Sequence, residues 1–137
     1  MSVERLNPPG LPVGPAYHQV SIAAGTRFVS IAGQVARDAD GTPVGAGDLA
    51  AQVTQSYLNV VTGLEGAGAT VADLASVTVY VVGWTPDQMG PLMEGLVRAT
   101  TQLGIEPGPL PPATLIGVAA LAEPDLLVEI QATAVLA

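Results

Sequence analysis

PPATLIGVAALAEPDLLVEIQATA, residues 111–134, is the stretch whose reading decides the fold. It contains two runs of aliphatic and β-branched residues, about Ala113–Ala120 and Leu126–Leu136, separated by Glu123-Pro124-Asp125. Runs of this kind bounded by a Pro-Asp turn read as strands, and the short separation predicts that they lie side by side. Glu129 is the one carboxylate inside the second run. A buried carboxylate is costly unless it is paired or used. Glu129 is therefore the first candidate for acid/base chemistry, and Thr114 is the position expected to answer it across the strand pair. The plainer reading of Glu129 is a carboxylate paired with a neighbour, or turned to water at a sheet edge.

Upstream of this stretch, Glu106–Pro112 is a Pro-rich connection, and Gly104 stops the helix before it. That helix has Met89, Leu92, Met93, Leu96, Thr100 and Leu103 at three- and four-residue spacing, with Thr85 as cap and Pro86 at its first position. Ser76–Val82, SVTVYVV, is a strand of β-branched and aromatic residues. A first helix follows Asp48, a good N-cap, with Leu49, Val53, Tyr57, Val60 and Leu64 on one face. Gly66 and Gly68 end it. Asp40-Gly41 marks a tight turn. Tyr17–Ala23 and Arg27–Ala32 read as strands joined through Ala24-Gly25-Thr26 as a hairpin, after a Pro- and Gly-rich segment, NPPGLPVGP.

The order is thus α+β: strands, helix, strand, helix, then two strands. Two helices can cover only one face of such a sheet. Yet Tyr80 and Val82 point away from Val77, Val79 and Val81, and Leu127 and Val135 point away from Val128, Ile130 and Ala132. A second face that is also apolar predicts sheet-to-sheet packing between copies of the chain.

The bulk of the sequence narrows the chemistry. Its 137 residues suit one domain, 1–137, and a content of 49% hydrophobic against 12% charged residues excludes disorder. No apolar run is long enough to span a bilayer, and the N-terminus has no basic-then-apolar signal pattern, so a cytoplasmic location is expected. Cysteine and lysine are absent and histidine occurs once, as His18. Disulfides, thiolate or Schiff-base catalysis and multi-His metal sites are excluded. A net charge of −8 with four arginines offers little to nucleic acid. The glycines form no phosphate-binding fingerprint. Asp38, Asp40 and Asp48 have sufficient roles in turn and cap, so no metal is expected. Tyr17, at the start of the first expected strand, could offer its hydroxyl to a ligand or simply pack a strand end. His18, next to it on that strand, is expected to face the opposite way.

Several pieces together resemble the Rid family, also called YjgF-like or L-PSP. They are Asn7-Pro8-Pro9-Gly10, Tyr17-His18-Gln19, Ala32-Gly33-Gln34, Asp48 leading to Gln52, Gly66-Ala67-Gly68, Pro112-Ala113 and Val128-Glu129-Ile130. They run in family order over essentially the whole chain. The resemblance implies a fold like the trimeric chorismate mutase barrel, a mixed sheet with two helices on one face. It implies a homotrimer with small-molecule pockets at the subunit interfaces. It implies hydrolysis of enamines and imines such as 2-aminoacrylate to a 2-keto acid and ammonia, without cofactor.

Carried over by position, the family's pocket tyrosine falls on Tyr17 and its water-positioning glutamate on Glu129, the two catalytic candidates. The arginine that grips the substrate carboxylate falls on Thr114. The other binding positions fall on Gly33, on Ala32 in place of a serine, on Ile116 in place of a cysteine, and on Met93 in place of an asparagine. A cation, a hydroxyl, a thiol and an amide have become Thr, Ala, Ile and Met. Losing a charge-assisted contact costs about 1.5–3 kcal/mol, at least tenfold in affinity. The expected ligand is therefore a neutral or apolar metabolite, and standard 2-aminoacrylate deaminase activity is not expected. The alternative is a trimer that binds a metabolite or partner without catalysis. The ribonuclease activity attached to the family is opposed by the charge balance.

Overall fold

The computed structural model describes residues 2–137. Its elements are β1 (Val3–Leu6), β2 (Val20–Ala23), β3 (Arg27–Gln34), α1 (Leu49–Gly66), β4 (Leu74–Val82), α2 (Met89–Leu103), β5 (Ala113–Val118) and β6 (Val128–Leu136). Strands β3, β6, β4 and β5 form a mixed sheet in that order, and β1 and β2 form a separate antiparallel ribbon.

The helices begin and end where the sequence indicates. Asp48 Oδ1 accepts from the Ala51 amide at 3.1 Å, which satisfies one of the free donors of the first turn of α1. Val53, Tyr57, Val60 and Leu64 are buried along one face of α1. A single 3-10 turn, Pro86–Gln88, precedes α2, so Pro86 opens that turn rather than the α-helix itself. Gly104 ends α2 at φ +66°, in the left-handed region where glycine is favoured. The two helices touch closely at Gly95. A Cβ there would fall 2.6 Å from the Ala50 carbonyl oxygen, and Thr54 Oγ1 donates to the Gly95 carbonyl at 2.9 Å.

Strand pairing departs from the sequence reading at both expected side-by-side pairs. β5 and β6 are not neighbours, because β4 lies between them. The crossover through α2 returns β5 parallel to β4, with Thr78 opposite Thr114 and Tyr80 opposite Ile116. β6 then takes the other edge of β4, antiparallel, and pairs with β3 on its far side. Inserted there, β6 is buried between two strands, whereas beside β5 it would itself have been an edge.

The expected hairpin at Ala24-Gly25-Thr26 is also absent. The Ala24 amide donates to the Ser2 carbonyl at 2.8 Å and the Thr26 amide to the Leu136 carbonyl at 3.0 Å. The loop hands the chain from one sheet to the other. β1 was not anticipated; with two charged residues in VERL it shows little apolar alternation, and it exists because β2 pairs with it.

The core lies between the mixed sheet and the helices. Val77, Val79 and Val81 of β4 and Val128, Ile130, Ala132 and Ala134 of β6 are buried there. The alternate residues face the open side of the sheet. They include Ser76, Thr78 and Tyr80 of β4, Glu129, Gln131 and Thr133 of β6, and Phe28 and Ser30 of β3. This face is more polar than expected, with Phe28 70% and Ile116 39% exposed upon it. Among the described residues no helix is long and apolar enough to cross a membrane.

Candidate functional site

The segment that carries Glu129 is fixed before its strand begins. Gln52, fully buried in α1, donates from Nε2 to the carbonyls of Gly45 at 3.1 Å and Asp125 at 3.0 Å. Its Oε1 accepts from the Leu127 amide at 2.9 Å. One side chain thus ties the first turn of α1 to Asp125 and Leu127, just ahead of β6. Arg37 adds a second tie, with its guanidinium bonded to both carboxylate oxygens of Asp125 at 2.8 and 2.9 Å and to Glu123 at 3.0 Å. Those hydrogen bonds hold the Asp125 carboxyl below its ordinary range and raise the Arg37 guanidinium.

Glu129 itself lies on the open face between two buried neighbours, Val128 and Ile130. Its side chain crosses Gly33 of β3. A Cβ on Gly33 would stand 2.6 Å from the Glu129 carboxyl carbon, so only glycine leaves room for it. The β3–β6 register advances three residues on β3, Ile31 to Gln34, against two on β6, Ala132 to Ile130. This bulge places Ala32 and Gly33 beside the carboxylate, a common device for re-aiming a side chain. On the other side, Tyr80 pairs with Glu129, and Ile116 pairs with Tyr80. Gly33, Glu129, Tyr80 and Ile116 therefore form one row across the face. Tyr80 was missed as a site residue. Its place beside Glu129 depends on β4 standing between the last two strands, which the alternation in SVTVYVV does not disclose.

Tyr17, Thr114 and Met93 form a second cluster. They border a cavity of about 290 Å³ between α2 and β5, walled mainly by Val79, Leu92, Leu96 and Leu115. Tyr17 does not lie in a strand; it makes an isolated parallel bridge to Leu110, and β2 begins only at Val20. The His18 amide donates to the Leu110 carbonyl at 2.9 Å, and the Leu110 amide to Ala16 at 2.8 Å. Without strand alternation, Tyr17 and His18 are not sent to opposite sides. Both border a polar recess of about 450 Å³ with Gln19, Ser76, Thr78 and Thr114.

The two clusters remain apart within one chain. Thr114 lies two residues along the sheet from Glu129 and two strands away, roughly 12 Å between Cα atoms at ordinary strand spacing. The Glu129 carboxylate also leans over Gly33, away from β5. The direct Thr114–Glu129 juxtaposition expected from adjacent strands is therefore corrected: Thr114 and Ile116 both lie on the open face with Glu129, Gly33 and Ala32, but Thr114 sits at the β5 edge, where Tyr17 and Met93 gather with it. The aspartates of the second expected turn are used structurally. Asp38 Oδ1 accepts from the amides of Asp40 and Thr42, and Gly41 has φ +81°. Among the described residues no group of three or more His, Cys, Asp or Glu side chains is placed to hold a metal ion.

Comparison with known proteins places this geometry. The sequence pattern of a family described as endoribonuclease L-PSP matches residues 12–136. A crystal structure of YyfB from Yersinia pestis, a Rid-family protein of unknown function, is 36% identical with a TM-score of 0.86, covering 99% of this chain and 100% of that one. Rv2704 from Mycobacterium tuberculosis, of the YjgF/YER057c/UK114 family, is 27% identical with a TM-score of 0.58, covering 98% and 100%. The YjgF gene product of E. coli is 24% identical with a TM-score of 0.65 over 96% and 92% of the chains, a likeness of fold. No curated protein matches the chain.

Proposed function

Because the chain belongs to the Rid family, whose sequence pattern is described as endoribonuclease L-PSP, we propose that it is a small-molecule hydrolase acting on an uncharged imine or enamine. The observation that carries the reading is the Glu129 carboxylate, seated over Gly33 at a strand bulge on an exposed sheet face. A carboxylate there can take a proton from a water whose oxygen attacks the C=N carbon and pass it to the imine nitrogen, giving the neutral carbinolamine. It can then take the carbinolamine hydroxyl proton and deliver that to the nitrogen as the C–N bond breaks, so that ammonia leaves with a carbonyl product. No cofactor enters this sequence of bonds.

Tyr17 supplies a hydroxyl contact, and Thr114 a neutral hydrogen bond where the family's arginine would grip a carboxylate. Met93, Ala32 and Ile116 make the remaining walls less polar. Since the clusters around Glu129 and Thr114 lie apart in one chain, the reading requires a homotrimer in which the two meet across a subunit interface. Replacement of Glu129 by Gln removes the base while keeping shape. Ammonia release from a panel of neutral imines should fall by about 10²-fold or more. Unchanged turnover would overturn the role given to Glu129.

The separation of Glu129 from Thr114 favours one further reading, a trimer that holds a metabolite without converting it. Saturable binding with no product release from any imine would establish it. Ribonuclease action fits poorly, because a chain of net charge −8 without lysine has little with which to neutralise phosphates.

A further inference from the structure

The apolar cavity under α2 and the polar recess on the far side of β5 share three residues, Tyr17, Ala113 and Thr114. They are two compartments that meet around one strand edge. The first, about 290 Å³, is walled by Val79, Met89, Leu92, Leu96, Leu110 and Leu115. The second, about 450 Å³, holds His18 and Gln19. Among the described residues no lysine or arginine borders either compartment.

The hydrogen bonds fix what the polar compartment can recognise. His18 Nδ1 lies 3.1 Å from the Leu110 carbonyl, which can only accept. Nδ1 is therefore the protonated nitrogen, and in the neutral imidazole Nε2 is left as an acceptor. Gln19 Nε2 donates to the Pro12 carbonyl at 2.8 Å, and the Gln19 amide donates to Asn7 Oδ1 at 2.9 Å. The Gln19 side chain therefore keeps its carbonyl oxygen and one N–H free. Ser76 Oγ is already engaged with Thr133 Oγ1 at 2.7 Å. The compartment presents acceptors and the hydroxyls of Tyr17, Thr78 and Thr114, with no lysine or arginine. It suits an uncharged head group that donates N–H or O–H and gives a carboxylate no cationic partner.

We propose that the two compartments form one site for an uncharged amphipathic molecule, with its aliphatic arm under α2 and its amide, imine or hydroxyl head donating to His18 Nε2. The proposal rests on the reading that Tyr17 and Thr114 border the ligand site, and it adds a substrate class and a recognition role for His18. Hexanamide and hexanoate share an arm and differ in head group, while acetamide has the head without the arm.

The full-length protein, labelled at its methionine methyls, is titrated with each compound. Hexanamide should shift the Met89 and Met93 signals saturably and bind at least about tenfold more tightly than hexanoate, whose charged head meets no cation. It should also bind at least about tenfold more tightly than acetamide, given the apolar area of the arm. His18→Phe should weaken hexanamide about fivefold or more, while Glu65→Gln, at the exposed end of α1 and bordering neither compartment, should leave it unchanged. Should His18→Phe fail to fold, the milder His18→Asn, which cannot place an acceptor at the Nε2 position, must show the same loss. Equal binding of hexanoate and hexanamide, no binding of either, or indifference to both His18 variants would overturn the proposal. Retained hexanamide binding without imine turnover would leave it standing and remove only the hydrolase reading.

Discussion

Glu129 is the residue on which the proposed chemistry turns, and its immediate surroundings are set by a glycine. The resemblance places Gly33 in the expected binding set; in the structure the glycine bears on Glu129. Its missing Cβ is the space that the Glu129 side chain fills. Gly33→Ala is expected to push the carboxylate off this position, because the obstacle is a strand Cβ held by β3–β6 pairing rather than a free side-chain tip. Imine turnover should fall by about tenfold or more with the substrate KM less affected, since the displaced group is the proposed base. Steady-state kinetics of the variant check this. Gln52 is a second residue whose effect reaches Glu129. Replacement by Leu keeps bulk but strands the Asp125 carbonyl and the Leu127 amide, and leaves the Gly45 carbonyl with only the Asp48 amide as donor. A loss of about 2–4 kcal/mol is expected, from buried groups left without partners. Urea unfolding of wild type and Gln52→Leu measures it.

At the scale of elements, the sequence was legible wherever a single element's own residues decide the matter. Both helices follow their apolar spacing, and Asp48 and Gly104 cap them as read. Strands β3 to β6 are also present near their expected bounds. What the sequence did not reveal was which strand pairs with which. The loop at Gly25 and the turn at Pro124 each look like a connection between neighbours, yet each hands the chain to a distant partner. Pairing is decided by the α2 crossover and by which edges remain free, and no local pattern records that. The site suffered in proportion. Glu129 and Gly33 follow from family position, but Tyr80 beside them and the joint exposure of Tyr17 and His18 follow only from topology.

The segment entering β6 also gives a pH dependence. Arg37 holds the Asp125 carboxyl below its ordinary range. A carboxyl depressed in the folded state contributes stability that is fully present above its unfolded pKa of about 4, and that stability is lost as pH falls through the lower folded value. The difference in urea midpoint between wild type and Asp125→Asn should therefore be steady from pH 5 to 7 and shrink progressively below about pH 4. A difference that grew on acidification would refute the assignment.

The whole molecule presents one sheet face covered by helices and one that is not. The uncovered face carries the Glu129 row, and Phe28 stands 70% exposed at one side of it while Ile116 is exposed at the other. A phenylalanine left in water forgoes about 2 kcal/mol that burial would supply. On a surface also carrying Ser30, Thr133 and Thr78, it marks where close contact with another copy has most to gain. If the proposed trimer forms by packing these faces, the assembly and the chemistry share residues, and disturbing one must disturb the other. Light scattering of the wild-type protein should give three chains of 13.8 kDa each. Phe28→Glu places a charge where the sheets would meet, and burying it without a partner costs several kcal/mol. The variant should fall to monomer mass, and imine turnover should fall with it, although Phe28 is several residues along β3 from Glu129. A variant that stays trimeric, or becomes monomeric with full activity, would break the link between the open face and the site.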